Sequence, residues 1–171
     1  VFVTEGMRND VLAVELGGRG ELSQGVVRWR YDHGTPDTCT PVVVDGLLFL
    51  ITDRGIANSL DAKTGELHWQ ERLPGSYRAS PLATEERVYF LNRDGLATVV
   101  AAEPEFRVLA ENQLDAATLA SPAVGDGRLF IRGRGSLYCV DGASPEAEPG
   151  KDRSRASDDN ASPKADEPQA E

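Results

Sequence analysis

His33, His68, Cys39 and Cys139 are the residues of this chain best suited to nucleophilic or metal chemistry, and their spacing supports neither. Neither histidine has a Cys or His at metal-ligand spacing. His33 falls in a linker and His68 on an outer strand beside Trp69, so both are read as solvent-exposed. Cys39 precedes one strand and Cys139 lies on another two repeat units away, whereas a disulfide needs Cα atoms within about 7 Å. Both are read as free thiols, Cys139 as a small core residue. Asp53 and Asp94 lack the alternating acids and downstream Glu of a calcium loop and are read as turn formers. Gly17-Gly18-Arg19-Gly20 and Gly133-Arg134-Gly135 open no helix after a strand, so neither is a phosphate cradle. No Ser-His-Asp or Cys-His set can be assembled. The sequence thus offers no catalytic, cofactor-binding or metal-binding set, and the reading favours a chain that is not an enzyme.

The elements that would carry any site follow from a repeat. Ser/Thr-Pro, a short apolar run, an acidic or Gly turn, an aromatic strand and a Gly hairpin recur about every 40 residues, starting at Thr40-Pro41, Ser80-Pro81 and Ser121-Pro122. In each copy the aromatic stands eight residues after the proline, as Phe49, Tyr89 and Phe130, and Gly55, Gly95 and Gly135 follow at the hairpin. A period of this length with several short strands per unit signals a β-propeller. In the second unit alternation and turn chemistry predict strands near 40–45, 47–52, 56–61 and 67–72. Val42 to Val44 and Leu47 to Ile51 are apolar on both faces, which requires a sheet covered on both sides, as a blade is by its neighbours. The prolines begin strands, where a missing N–H does little harm. Asp45-Gly46 and Asp126-Gly127 are tight hairpin connections.

The fold class read from this pattern is all-β, a partial propeller of about four blades of four-stranded antiparallel sheets. Residues 1–31 form a partial blade, 40–73 and 79–114 two full blades, and 119–142 a second partial blade. Val1 to Val3 match the middle of a repeat, Phe2 falling where Phe49 stands. The expectation is a C-terminal fragment whose first blade lacks its inner strand and whose fourth lacks its outer strand, with missing upstream chain needed to close the propeller. From Ala143 to Glu171 no Val, Ile, Leu, Met or aromatic residue occurs, so this segment has no apolar surface to offset its ordering entropy and is expected to be a disordered tail. The net charge of −10 argues against nucleic acid as a partner. No apolar run approaches the roughly 20 residues of a membrane helix, so no direct membrane insertion is expected. The loop at 17–25 is an insertion of the kind that carries function or is simply tolerated.

The most specific stretch is Ser59-Leu60-Asp61-Ala62-Lys63-Thr64-Gly65-Glu66-Leu67-His68-Trp69. Asp61 and Thr64 can bond backbone groups of the turn, Gly65 permits the reversal, and Trp69 can cover a neighbour from the outer strand. This resembles the tryptophan-docking motif of pyrroloquinoline-quinone-type propeller repeats, with Ser59 in place of the usual Ala. The resemblance covers residues 1 to about 142 and implies structural blade-docking roles for Asp61, Thr64, Gly65, Trp69 and, in the first unit, Trp29. The third unit departs from it, with Ala101 at the position of Asp61 and Leu109 at that of Trp69. Two functions follow from the resemblance. One is a non-catalytic scaffold for protein partners of unknown identity, like the cell-envelope assembly-factor branch, which is periplasmic. The other is the propeller of a quinone-dependent dehydrogenase. That branch uses a vicinal Cys-Cys disulfide, a stacking Trp, calcium held by Glu, Asn and Asp, and a catalytic Asp; no matching motif occurs here, so no cofactor is expected.

Overall fold

In a computed structural model, residues 1–4, 10–18, 20 and 24–141 are described. The segment expected to be a tail lies outside them, as does part of the 17–25 loop. Four antiparallel sheets follow one another along the chain. The first is three-stranded, with β1 (Phe2–Thr4), β2 (Val11–Val14) and β3 (Val27–Tyr31), the last preceded by a 3₁₀ turn at Gln24–Val26. The second holds β4 (Val42–Val44), β5 (Leu47–Ile51), β6 (Ile56–Asp61) and β7 (Leu67–Arg72) in that order. The third holds β8 (Leu82–Ala83), β9 (Arg87–Leu91), β10 (Leu96–Ala101) and β11 (Val108–Gln113). The fourth is three-stranded, with β12 (Ala123–Gly125), β13 (Arg128–Arg132) and β14 (Leu137–Asp141). The chain is a partial β-propeller.

Each sheet is a meander because its turns are local. At the β4–β5 and β12–β13 hairpins Asp45-Gly46 and Asp126-Gly127 all have positive φ, the geometry whose twist matches that of the strands it joins. Alternate residues of β5 then face different blades. Leu48 and Leu50 pack with Val11, Tyr31 and Leu60 against the first blade. Leu47, Phe49 and Ile51 pack with Trp69, Tyr77, Val88 and Phe90 against the third. All five residues of β5 are buried, which is why the strand reads apolar without alternation. The seam between the third and fourth blades is thinner, with Ala79, Leu91 and Ile131 as its buried centre. β11 is exposed throughout and β14 nearly so.

One register differs from the expectation. A bulge places Trp69 opposite Ser59 and Trp29 opposite Ala13. The matching bulge in the third blade places Ala110, not Leu109, opposite Val99. The turn before β11 is one residue longer than its counterpart before β7, so counting from Ala101 lands one position short, and Leu109 is 39% exposed. Cys139, expected in the core, is also exposed, because β14 has no covered face at that position.

Candidate functional site

The two tryptophans sit on the seams between blades. Trp29, on β3 of the first blade, reaches the β6–β7 turn of the second, where its indole N–H donates to the Ala62 carbonyl at 3.2 Å and its ring also meets Phe2. A Cβ on Gly65 would stand 2.6 Å from Trp29 Cδ2, so the ring lies directly on the glycine, whose φ is +77°. Trp69, on β7, repeats the contact one blade further on. Its indole donates to the Glu103 carbonyl at 3.4 Å, and its ring meets Phe106 edge-on at 5.0 Å and Phe49 at 5.9 Å.

The turn beneath Trp29 is organised by Asp61. One carboxylate oxygen accepts from Thr64 N at 2.7 Å, Lys63 N at 2.9 Å and the Thr64 hydroxyl at 2.9 Å, while Gly65 N donates to the Asp61 carbonyl at 2.8 Å. These donors, Thr64 N first, hold the Asp61 carboxyl below its ordinary value. A depressed folded-state value stabilises the chain above the unfolded value of about 4 and is lost as the pH falls through the lowered one. Replacing Asp61 by Ala is therefore expected to lower stability at neutral pH and to flatten the fall in melting temperature below about pH 4. Melting curves of both proteins across that range check it, and unchanged acid sensitivity would show that Asp61 is not a contributor.

Nearer the strand starts the blades are joined by the repeat's hydroxyls. Thr40 N–H donates to Ser80 Oγ at 2.9 Å, and Ser80 N–H donates to Ser121 Oγ at 2.9 Å. Sequence reasoning explained the prolines and passed over the hydroxyls before them, although their recurrence at the repeat period was the signal. The hairpin acid Asp53 also does something other than expected. The turns are closed by the residue before each: Thr52 Oγ1 accepts from Ile56 N, and Asn92 Oδ1 accepts from Asp94 N and Leu96 N. Asp53 is thereby free to accept from the Thr38 hydroxyl at 3.1 Å and to pair with Arg78, tying the second blade to both flanking linkers.

The remaining candidates are dispersed. His33 pairs with Asp32 at the surface, and His68 is exposed on β7. No group of three or more His, Cys, Asp or Glu that could hold a metal occurs among the described residues. Both cysteines are free. Cys39 is buried, and burial pushes its thiol up to about 11. Under native conditions a thiol reagent is expected to label Cys139 promptly and Cys39 roughly tenfold or more slowly, with both reacting in denaturant. Two fast thiols in the native state would contradict the burial of Cys39.

Two open clefts lie where hairpin tips meet the linkers between blades. One, of about 370 Å³, is bounded by Asp32, Asp37, Asp53, Arg54 and Arg72. The other, of about 730 Å³, lies at the third and fourth blades and carries Arg93, Arg132 and Arg134.

Four consecutive antiparallel sheets, seams filled by alternate strand residues and an Asp-Thr-Gly turn beneath a tryptophan define a PQQ-like β-propeller repeat protein. A family model described as outer membrane protein assembly factor BamB matches residues 19–116, more than half of the 171, and the chain belongs to that family. Among solved structures, BamB from Moraxella catarrhalis is 20% identical, with a TM-score of 0.62 over 80% of this chain and 40% of that one. A quinohemoprotein alcohol dehydrogenase from Pseudomonas putida is 18% identical, with a TM-score of 0.53 over 61% of this chain and 19% of the enzyme. At these identities the likeness is one of fold. This chain therefore spans less than half the length of either. No curated protein sequence matches.

Proposed function

We propose that this chain is a non-catalytic propeller that serves as an interaction or assembly scaffold in the bacterial cell envelope, working with protein partners in outer-membrane protein assembly. Membership of the assembly-factor family supports the reading. The observation that carries it is the use of the tryptophans: both indoles are spent on seams between blades, bonded to Ala62 and Glu103, and so are not placed to stack on a quinone. Asp61, the carboxylate of the repeat motif, likewise has one oxygen committed to three donors of its own turn. Among the described residues no set fits a quinone with calcium. We assign Asp61, Thr64, Gly65, Trp69 and Trp29 to blade docking and the hairpin-and-linker face to partner contact. No described helix is long and apolar enough to cross a membrane.

The test has two arms. Titration with pyrroloquinoline quinone, with and without calcium, is expected to give no saturable spectral change and no dye-coupled alcohol oxidation. Photo-crosslinkers at Arg54 and Asp94, used in intact cells, are expected to join the protein to defined envelope proteins. Saturable quinone binding with turnover would instead establish the dehydrogenase reading.

A further inference from the structure

The two clefts occupy equivalent positions two blades apart and carry opposite charge. The smaller gathers Asp32, Asp37 and Asp53 beside Arg54 and Arg72. Its charges are largely engaged at home: Asp53 with Arg78, Asp32 with His33, and the Arg72 guanidinium with the Arg54 carbonyl. The larger carries three arginines against Asp94 alone. Arg93 and Arg134 are held by their backbones, Arg93 N donating to Ser76 O at 2.8 Å and Arg134 N to Ala117 O at 2.9 Å, while the Arg132 carbonyl accepts from the Thr118 hydroxyl at 2.7 Å. The scaffold thus fixes the three Cα positions, yet none of the three guanidinium groups pairs with a described residue, and all three are exposed. Between them runs an apolar strip of Ala117, Ala120 and Leu119, the last 60% exposed.

Resting on the scaffold reading, we propose that this cleft is the docking site for an extended acidic peptide segment of a partner protein, with carboxylates on Arg93, Arg132 and Arg134 and an apolar side chain on Leu119. Guanidinium groups match carboxylates in planar, two-pronged pairs. Arginine is enriched among the residues that carry interface energy, and here three unpaired arginines line one cleft with the exposed Leu119. The three arginines come from hairpins of two different blades, Arg93 from the third and Arg132 and Arg134 from the fourth, which suits a chain with spaced carboxylates better than a single small anion. No aromatic side chain lines the cleft to stack a base, which disfavours nucleic acid as the occupant.

Fluorescence anisotropy of a labelled ten-residue peptide of alternating Glu and Leu, titrated with the full chain, tests the assignment. Binding is expected to weaken as salt is raised. It should fall at least tenfold in the Arg132→Gln, Arg134→Gln double variant and less than twofold in Arg87→Gln, which lies outside both clefts. The variants sit at exposed positions, and an unchanged melting temperature verifies their fold. Equal binding of a peptide with Gln in place of Glu, or retention of affinity within twofold by the double variant, would overturn the proposal. Crosslinks to envelope proteins that persist while the peptide fails to bind would leave the scaffold reading standing and remove only this cleft from it.

Discussion

Truncating Trp69 to alanine is expected to lower the stability of the folded chain by about 3–5 kcal/mol, the range for removing a buried aromatic side chain. Trp69 is 8% exposed and belongs to the largest core cluster, where its ring spans from Phe49 in its own blade to Phe106 in the next. The loss therefore opens a hole at a seam between two sheets and leaves the Glu103 carbonyl without its donor. A drop of roughly 10 °C in melting temperature accompanies a change of this size in a body of this length. Leu109→Ala is expected to stay within about 0.5 kcal/mol, because that side chain already meets water. Urea unfolding of the two variants beside the parent decides the matter. A Trp69 loss below about 1 kcal/mol would mean that the second and third blades are not held together through this ring.

A single added methyl group is expected to do nearly as much damage at Gly55. This residue closes the β5–β6 hairpin with φ +84°, a conformation that costs an L-residue about 1–2 kcal/mol. A Cβ there would also stand 2.5 Å from the Leu73 carbonyl oxygen and 3.1 Å from that of Gly75. Those atoms are backbone and cannot swing aside. The segment that carries them is stitched to the hairpin by Leu73 N donating to Gly55 O at 2.8 Å and Tyr77 N to Asp53 O at 3.0 Å. Relief of the clash would break that stitching, so Gly55→Ala is expected to cost about 3 kcal/mol or more. Gly135 supplies an internal control. It occupies the same hairpin position two blades on, with φ +91°, and a Cβ there would meet nothing within 4 Å. Gly135→Ala should cost only the conformational term. Equal losses at the two glycines would show that the close approach to Leu73 is not what makes Gly55 necessary.

Much of the fold was legible before any coordinates. The second blade's strands at Leu47–Ile51, Ile56–Asp61 and Leu67–Arg72 fall where alternation and turn residues placed them. Phe2, Phe49, Tyr89 and Phe130 occupy matching register positions in their sheets, opposite Ala13, Ser59, Val99 and Cys139. These features are local: a hairpin is set by two or three residues at its tip and by the period of the strands around it. The register at Ala110 and Leu109 was misread because the turn before β11 holds one residue more than the turn before β7, and a slip of one position moves a side chain to the other face of its strand.

The candidate site was less legible, for a different reason. Asp53 looked like a turn residue and is instead a partner of Thr38 and Arg78, because Thr52 had already taken the capping role. The hydroxyls of Ser80 and Ser121 accept from residues a full repeat away, and Arg93, Arg132 and Arg134 share a cleft although they come from two hairpins of different blades.

What the amino-acid sequence determined by itself is the repeat: the all-β class, the turn chemistry and the demand that both faces of the central strands be covered, all of which arise from interactions among near neighbours. Tertiary structure alone decided which side chains meet across the seams, how thin the third seam is, and which charges are left unpaired at the hairpin tips. Those outcomes depend on contacts between residues some 40 positions apart, and a residue's type says which bonds it can make but not which of several distant partners the packing of adjacent blades will bring within reach.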